Sequence, residues 1–287
     1  MKSFIYLIIS IVVSITLTSA VQKTSGNNKS VTLQSTGINV SSVSLQQSAD
    51  IISNRLKFSG IGSFEVKVST GKGQVIVNLP DKTDISEIEG LLTSKGELAF
   101  YETYTHNEIS DLLKPDNQLF NLLSHESGQV SSDPRVGCTS NENRKRTDDY
   151  LRSAKPVKNC KLFWGFDSEK SGYCLFALKT NETGKPLIVR SDVESVKIAT
   201  GKDSKYPKIQ IKLKPAASII FADATKINLN KGIAIVIDDQ VYSCPVVRNV
   251  IDGGAIEVTG KFTEKEVKYF TALFNYEQLP VGFKLLK

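Results

Sequence analysis

Residues 237–262 read IDDQVYSCPVVRNVIDGGAIEVTGKF and gather several residue types that can do chemistry. Asp238 and Asp239 are adjacent carboxylates, a pair that can divide acid and base duties when their environments separate the two pKa values. Cys244 precedes Pro245, and a cysteine with a depressed pKa is a nucleophile. The local pattern argues against both uses. GIAIVI and QVYS have strand character on either side of the aspartates, which makes Asp238-Asp239 a tight hairpin turn, where aspartate tolerates the left-handed backbone. Adjacent turn residues point apart into water, and local spacing brings no further acid or base beside them. Cys244 continues the apolar–polar alternation and reads as a small buried side chain. Gly253-Gly254 supplies a turn before AIEVTG, and Gly260 releases the chain toward a helix starting at Thr263. Each unusual residue has a backbone reason, and no catalytic residue is assigned.

The four cysteines are Cys138, Cys160, Cys174 and Cys244, and no CxxC occurs. KLFWGF and GYCLFALK read as hairpin strands around Asp167–Ser171. Cys160 then faces a residue near Lys179, too far from Cys174 for a disulfide. A bridge from Cys138 to either stays open. The two histidines, His106 and His125, are distant in sequence from any cysteine, so no metal site is expected. No phosphate loop or Ser-His-Asp set is present, and no cofactor is expected. Arg144-Lys145-Arg146 beside Asp148-Asp149 reads as a self-compensating, solvated charge cluster. A second basic run holds Lys197, Lys202, Lys205, Lys208, Lys212 and Lys214, with Asp203 the only acid among them. In PKIQIKLK the alternation puts Lys208, Lys212 and Lys214 on one strand face. That face is either a solvated surface whose lysines discourage edge pairing, or a binding surface for acidic polypeptide or anionic lipid. A net charge of +6 is mild, and without an RNP-type or zinc-finger signature nucleic acid is set aside.

These residues must be held by elements the sequence announces. After Lys2, FIYLIISIVVSITLTSAV carries no charge and ends in small residues, so residues 1–20 are a cleaved signal peptide or a retained membrane anchor. Serine and threonine dilute its apolar run and favour the signal peptide. Residues 21–42 are polar and read as a linker with a short candidate strand, VTLQ. A first helix carries Leu45, Ala49, Ile52 and Leu56 inward behind a capping box at Ser44 and Gln47. FEVKV and QVIVNL are strands, Asp84 starts a second helix that stops at Gly96, and ELAFYETY is a further strand. Thr263 with Glu266 makes another capping box, followed by a final strand, LPVGFKLL. The expected fold is α+β: a discontinuous ferredoxin-like base from residues 43–105 and 263–287, with a strand-rich α+β head inserted at 106–262. The head opens with a polar helical segment at 106–156. The hinge falls where the chain enters and leaves the insertion, at Thr105 and Phe262.

The stretch from Phe221 to Pro280 resembles the first periplasmic domain of the bacterial protein-export factor SecD. The matching positions are Phe221, Thr225, Asn228, Asp238, Tyr242, Pro245, Ile251, Gly253, Gly254, Thr259, Gly260, Phe262, Leu279 and Pro280. IISNRLKFSGIG, with its arginine, and the strand ending in Leu79-Pro80 resemble the family's N-terminal half. The resemblance implies a base made from both chain ends, and a head that moves on it and contacts polypeptide emerging from the translocon. Implied partners are unfolded or translocating polypeptide and components of the Sec machinery, with membrane contact through the N-terminus if it is retained. The implied location is the periplasm, or the inner membrane facing it. SecD proteins continue into further membrane helices where this sequence reaches Lys287, and VTLQSTGINV stands where a glycine-rich motif is expected. The expectation is therefore a stand-alone SecD-like accessory without the proton-driven motor. The alternative is an envelope binding module that recognises another ligand through Lys208, Lys212 and Lys214.

Overall fold

Val75, Val77 and Leu79 alternate with polar residues and are fully buried, which sets one face of a sheet against the core. The structure, a computed structural model, describes residues 28–113, 117–125, 131–167, 172–199 and 205–286. The N-terminal apolar segment, Lys202 and Asp203 lie outside them. Their strand, β3 (Gln74–Pro80), belongs to a four-stranded antiparallel sheet with β1 (Asn28–Ser35), β2 (Glu65–Ser69) and β14 (Phe283–Leu286) in the order β14-β1-β3-β2. Helices α1 (Ser42–Phe58) and α2 (Ile85–Thr93) complete a βαββαβ unit, the ferredoxin-like arrangement. The first and last described strands meet in it, since β14 pairs with β1.

Two strands take different places from those expected. VTLQ lies within β1, a central strand of the base sheet rather than a linker segment, with Leu33 fully buried. ELAFYETY supplies β4 (Leu98–Glu102), which pairs with β11 (Ile233–Ile237) and β8 (Ile188–Val189) and not with the base sheet. The reason is burial on both faces: Phe100 and Tyr101 are buried in different cores, which a one-sided base sheet cannot offer. Helix α1 starts before the expected capping box, because the Ser41 hydroxyl accepts from the Ser44 amide at 3.0 Å. Asp84 caps α2 as expected.

Between α2 and β14 the chain builds two further sheets. The larger runs β5-β7-β6-β12-β11-β4-β8, with β5 (Arg135–Thr139), β6 (Cys160–Asp167), β7 (Gly172–Lys179) and β12 (Gln240–Ser243). Helices α3 (His106–Leu113), α4 (Asn117–Asn121) and α5 (Asn141–Ser153) accompany its outer end, over a core of Ile109, Leu119, Val136, Trp164 and Leu175. The smaller runs β13-β10-β9, from β9 (Val193–Ala199), β10 (Lys208–Leu213) and β13 (Ala255–Val258). Helix α6 (Pro215–Ile227) starts with proline in its first turn and turns Phe221 inward onto Phe100, edge to face at 5.8 Å. Helix α7 (Glu264–Phe274), with the predicted Thr263–Glu266 capping box, packs against α1 and α2 on one side and β9 and β10 on the other. One continuous core therefore runs from Leu33 and Leu45 in the base through Phe270 to Ile209 and Phe221.

Candidate functional site

Asp238 and Asp239 do form a left-handed two-residue turn, with φ of 47° and 62°. Asp239 is exposed, but Asp238 does not point into water. Its carboxylate accepts from the Gly96 amide at 3.0 Å and the Glu97 amide at 2.8 Å, 142 and 141 residues away. Arg55 approaches the same segment from α1. It is fully buried, and its guanidinium donates to the carbonyls of Ser94 at 2.6 Å and Lys95 at 3.0 Å, with a longer contact to Leu91. The cation thus sits at the C-terminal end of α2, where the helix dipole favours it. Burial pulls Arg55 down to about 10, against the opposing field of Asp238, so it stays charged at neutral pH. Gly96 has a φ of +83°, and a Cβ there would meet the Arg55 guanidinium at 2.9 Å. A carboxylate and a guanidinium clamp residues 94–97, the point where the base helix α2 hands the chain to β4.

Burial disfavours the thiolate form at both free cysteines. Burial pushes Cys244 up to about 12 and Cys160 up to about 11. Cys160 pairs with Lys179, as the hairpin register required, and Cys138 is bonded to Cys174 across β5 and β7. Among the described residues no three His, Cys, Asp or Glu side chains converge to hold a metal, and no helix is long and apolar enough to cross a membrane. The Arg144 cluster is not simply solvated. Arg144 lies over the rings of Tyr173 at 4.2 Å and Trp164 at 5.5 Å, while Asp148 accepts the Trp164 indole N–H at 2.7 Å.

Glu108 accepts from the Thr105 amide at 2.7 Å and from Lys179 at 2.9 Å. Burial alone would raise its pKa; these donors outweigh it and hold the carboxyl at about 2. Because the folded value is depressed, the pair stabilises the fold above the ordinary carboxylate range, and that contribution is lost as pH falls toward 2. Lys179→Met is expected to move the Glu108 titration upward, read by carboxyl NMR; an unmoved titration would show that Thr105 alone sets it.

Part of the Phe221–Pro280 stretch, Thr225, Asn228, Ile251 and Gly254, converges around α6. The buried Thr225 hydroxyl donates to the Ala222 carbonyl and accepts from the Ile251 amide at 3.0 Å. Asn228 donates to Glu102 of β4 at 2.6 Å and to the Ala224 carbonyl. The Pro245 carbonyl takes the Ile233 amide, and Pro245 itself, lacking an N–H, stands just past the end of β12. Gly254, with φ of +64°, lies so close to α6 that a Cβ would overlap the Ser218 hydroxyl. Gly253 accepts from Lys212, Gly260 faces the Phe262 ring, and Pro280 lies in the approach to β14. Between α6, the larger sheet and residues 245–251 these contacts leave an open groove of about 420 Å³. Phe100, Phe221, Ile233, Ile235, Val247 and Ile251 line it. Sequence reasoning read Phe221, Thr225 and Pro245 as structural positions but did not assemble the groove, because its walls come from segments more than 120 residues apart.

Lys208 and Lys212 stand on the outer face of β10, with Ile209, Ile211 and Leu213 inward. The strand is central, not an edge. Lys208 pairs with Glu257 at 2.8 Å and Lys212 donates to the Gly253 carbonyl at 2.7 Å, while Lys214 is exposed at the N-cap of α6. Thr105 follows β4, just past the last bond to the larger sheet, from the Tyr104 amide to the Ala177 carbonyl, and its own amide donates to Glu108. Phe262 stacks on Tyr242 with ring centroids 6.4 Å apart, immediately before α7.

Comparison with known proteins places this geometry. Residues 176–281 match the family described as SecDF, P1 head subdomain. The protein translocase subunit SecD of Calditerrivibrio nitroreducens is 26% identical over 250 residues, covering 85% of this chain and 40% of that protein. The protein translocase subunit SecDF of Brucella abortus is 23% identical over 249 residues, covering 87% of this chain and 27% of that protein. This chain therefore spans less than half the length of either relative. A crystal structure of SecDF in a super-membrane-facing form shares the fold over 90% of this chain and 29% of its own, with a TM-score of 0.52 at 17% identity. A second SecDF structure, of a membrane component that enhances protein export, gives 0.50 at 18% identity over 90% of this chain and 98% of its own. This chain is thus similar to the P1 head subdomain of SecDF over residues 176–281, and it shares the fold of a SecDF structure over 90% of its length.

Proposed function

We propose that this chain is an extracytoplasmic accessory of protein export that holds extended polypeptide in the groove beside α6 and docks on the Sec machinery. The groove carries this reading. It is open, walled mainly by apolar side chains, and all of its lining residues except Phe100 fall in the part of the chain that matches the P1 head. An apolar slot beside sheet strands gives weak, sequence-tolerant binding, which suits a partner that has not folded. The movement of the inserted part on the base belongs to the same reading. We place its first pivot at residues 94–97, before the Thr105 position expected from the sequence, because β4 already belongs to the seven-stranded sheet of the inserted part and not to the base sheet. The second pivot stays at Phe262, where the chain turns into α7.

Ala255 lines the groove and is exposed, so it tolerates a photo-crosslinking side chain. With an unfolded, translocation-competent preprotein, a crosslinker at 255 is expected to yield a covalent adduct, and one at exposed Lys67 on the base sheet is not. Adducts no stronger at 255 than at 67 would rule the groove out. Reversing charge at Lys208, Lys212 and Lys214 is expected to leave the adduct unchanged. Its loss would favour recognition through the basic sheet face instead, where a ligand must first displace Glu257 from Lys208.

A further inference from the structure

Helix α6 is apolar on both sides. Its inner face, Ala217, Phe221, Ala224 and Thr225, is buried. Its outer face leaves Ile219 68%, Ile220 50% and Ile227 71% exposed. Ile220 and Ile227 are seven apart, two helical turns, and Ile219 adjoins Ile220, so the three fall within one side of the helix about 100° wide. Leu229, Val246 and Val250 are also exposed large hydrophobics, and backbone hydrogen bonds between Asn230 and Val247, and Val247 and Lys231, bring their segments together at the end of α6. Scattered exposed apolar residues need no explanation, but a contiguous strip beside basic residues marks a contact surface.

The surrounding charges choose the partner. Lys214, Lys226, Lys231 and Arg248 stand around the strip, and among the described residues none is within an ion pair. The acids there are Asp223, on the stripe one turn before Lys226, and Asp252. A second copy of the chain is a poor occupant, since a two-fold contact would bury one copy's Lys214, Lys226, Lys231 and Arg248 beside the same four of the other, with only Asp223 and Asp252 of each to offset them. A surface that is apolar at its centre, negative around it and locally flat fits both features. We propose that the outer face of α6, with residues 246–250, is a docking surface for an anionic lipid bilayer, the isoleucines entering the headgroup boundary and the basic residues meeting lipid phosphates. Val246 also lines the groove, so a chain seated this way holds the groove mouth beside the membrane.

The test uses the full chain with an environment-sensitive fluorophore at Ile220→Cys; the native free thiols, Cys160 and Cys244, are held in the protonated form by burial. Vesicles with about one-third phosphatidylglycerol in phosphatidylcholine are expected to shift the label's emission to the blue, and pure phosphatidylcholine vesicles are not. Each basic residue at such a surface is worth roughly fivefold in partitioning. The triple change Lys226→Gln, Lys231→Gln and Arg248→Gln is therefore expected to raise the lipid needed for half the shift by about 100-fold. The same label at Lys67→Cys reports any contact made by the N-terminal apolar segment. Equal shifts at positions 67 and 220, no shift at 220, equal response to neutral vesicles, or a shift that depends on protein concentration without lipid would each overturn the proposal. Because position 220 lies outside the groove, failure here leaves the crosslinking result at 255 untouched, and the reverse.

Discussion

Replacing Arg55 with methionine is expected to lower stability by about 3–5 kcal/mol, the range for removing one partner from a buried charged cluster. The melting midpoint should fall by about 10 °C. Methionine fills much of the space of the arginine stem, so the loss is polar. The carbonyls of Ser94 and Lys95 lose their donor, and each buried unsatisfied group costs about 1–3 kcal/mol. The C-terminal end of α2 also loses its cation. Arg55→Lys keeps the charge but not the planar fork that reaches two carbonyls at once, so it should fall between the two. Asp238→Ala removes the grip on the other side of the same segment. It should speed amide exchange at Gly96 and Glu97 by about tenfold for each 1.4 kcal/mol lost, while leaving β1 and β3 protected. A double-mutant cycle is expected to show coupling, because both side chains position residues 94–97. If Arg55→Met melts within 2 °C of the parent chain, the clamp contributes nothing and the first pivot has no physical basis there.

How much of this was legible depended on how far each cause lay along the chain. The Thr263–Glu266 capping box, the Asp84 cap, the hairpin at Asp238-Asp239 and the register that puts Cys160 opposite Lys179 are local, and spacing was enough to read them, whereas the box expected at Ser44 gave way to a cap at Ser41. The base was legible as ferredoxin-like but one of its strands was misplaced. In NKSVTLQS only Val31 and Leu33 face inward, a signal too short to stand out from a polar linker. β4 carried a clue that the period reading passed over. Leu98 and Phe100 point one way, and Tyr101, itself apolar and buried, points the other, the mark of a strand covered on both faces. Arg55 carried a similar clue, since it stands three residues after Ile52 on the inward stripe of α1, where a charge must find partners. The Asp238 contact and the groove had no such mark, because their partners lie on remote segments that only the folded chain brings together.

Opening the Cys138–Cys174 disulfide should produce the second large effect, and it should be uneven across the molecule. The two cysteines are 36 residues apart in sequence, and loop-closure entropy for a crosslink of that span amounts to about 4 kcal/mol of stability. The bond ties β5, an edge strand of five residues, to β7. β5 in turn brings Val136 to the core that α3, α4 and α5 cover. That core is distinct from the one shared by the base, α7 and the smaller sheet. The Cys138→Ser, Cys174→Ser chain should therefore loosen first at its outer lobe. Amides of β5 and α5 are expected to exchange faster by orders of magnitude, while those of α1 and β3 change little. Uniform acceleration across both cores would mean that the chain unfolds as one unit and that the outer lobe has no separate stability. A midpoint unchanged on reduction would mean that β5 is held by its sheet bonds and by the Ser124–Cys138 backbone pair alone. A crosslink of this kind persists only in an oxidising compartment, so the predicted stability of the outer lobe is tied to the location proposed for the chain.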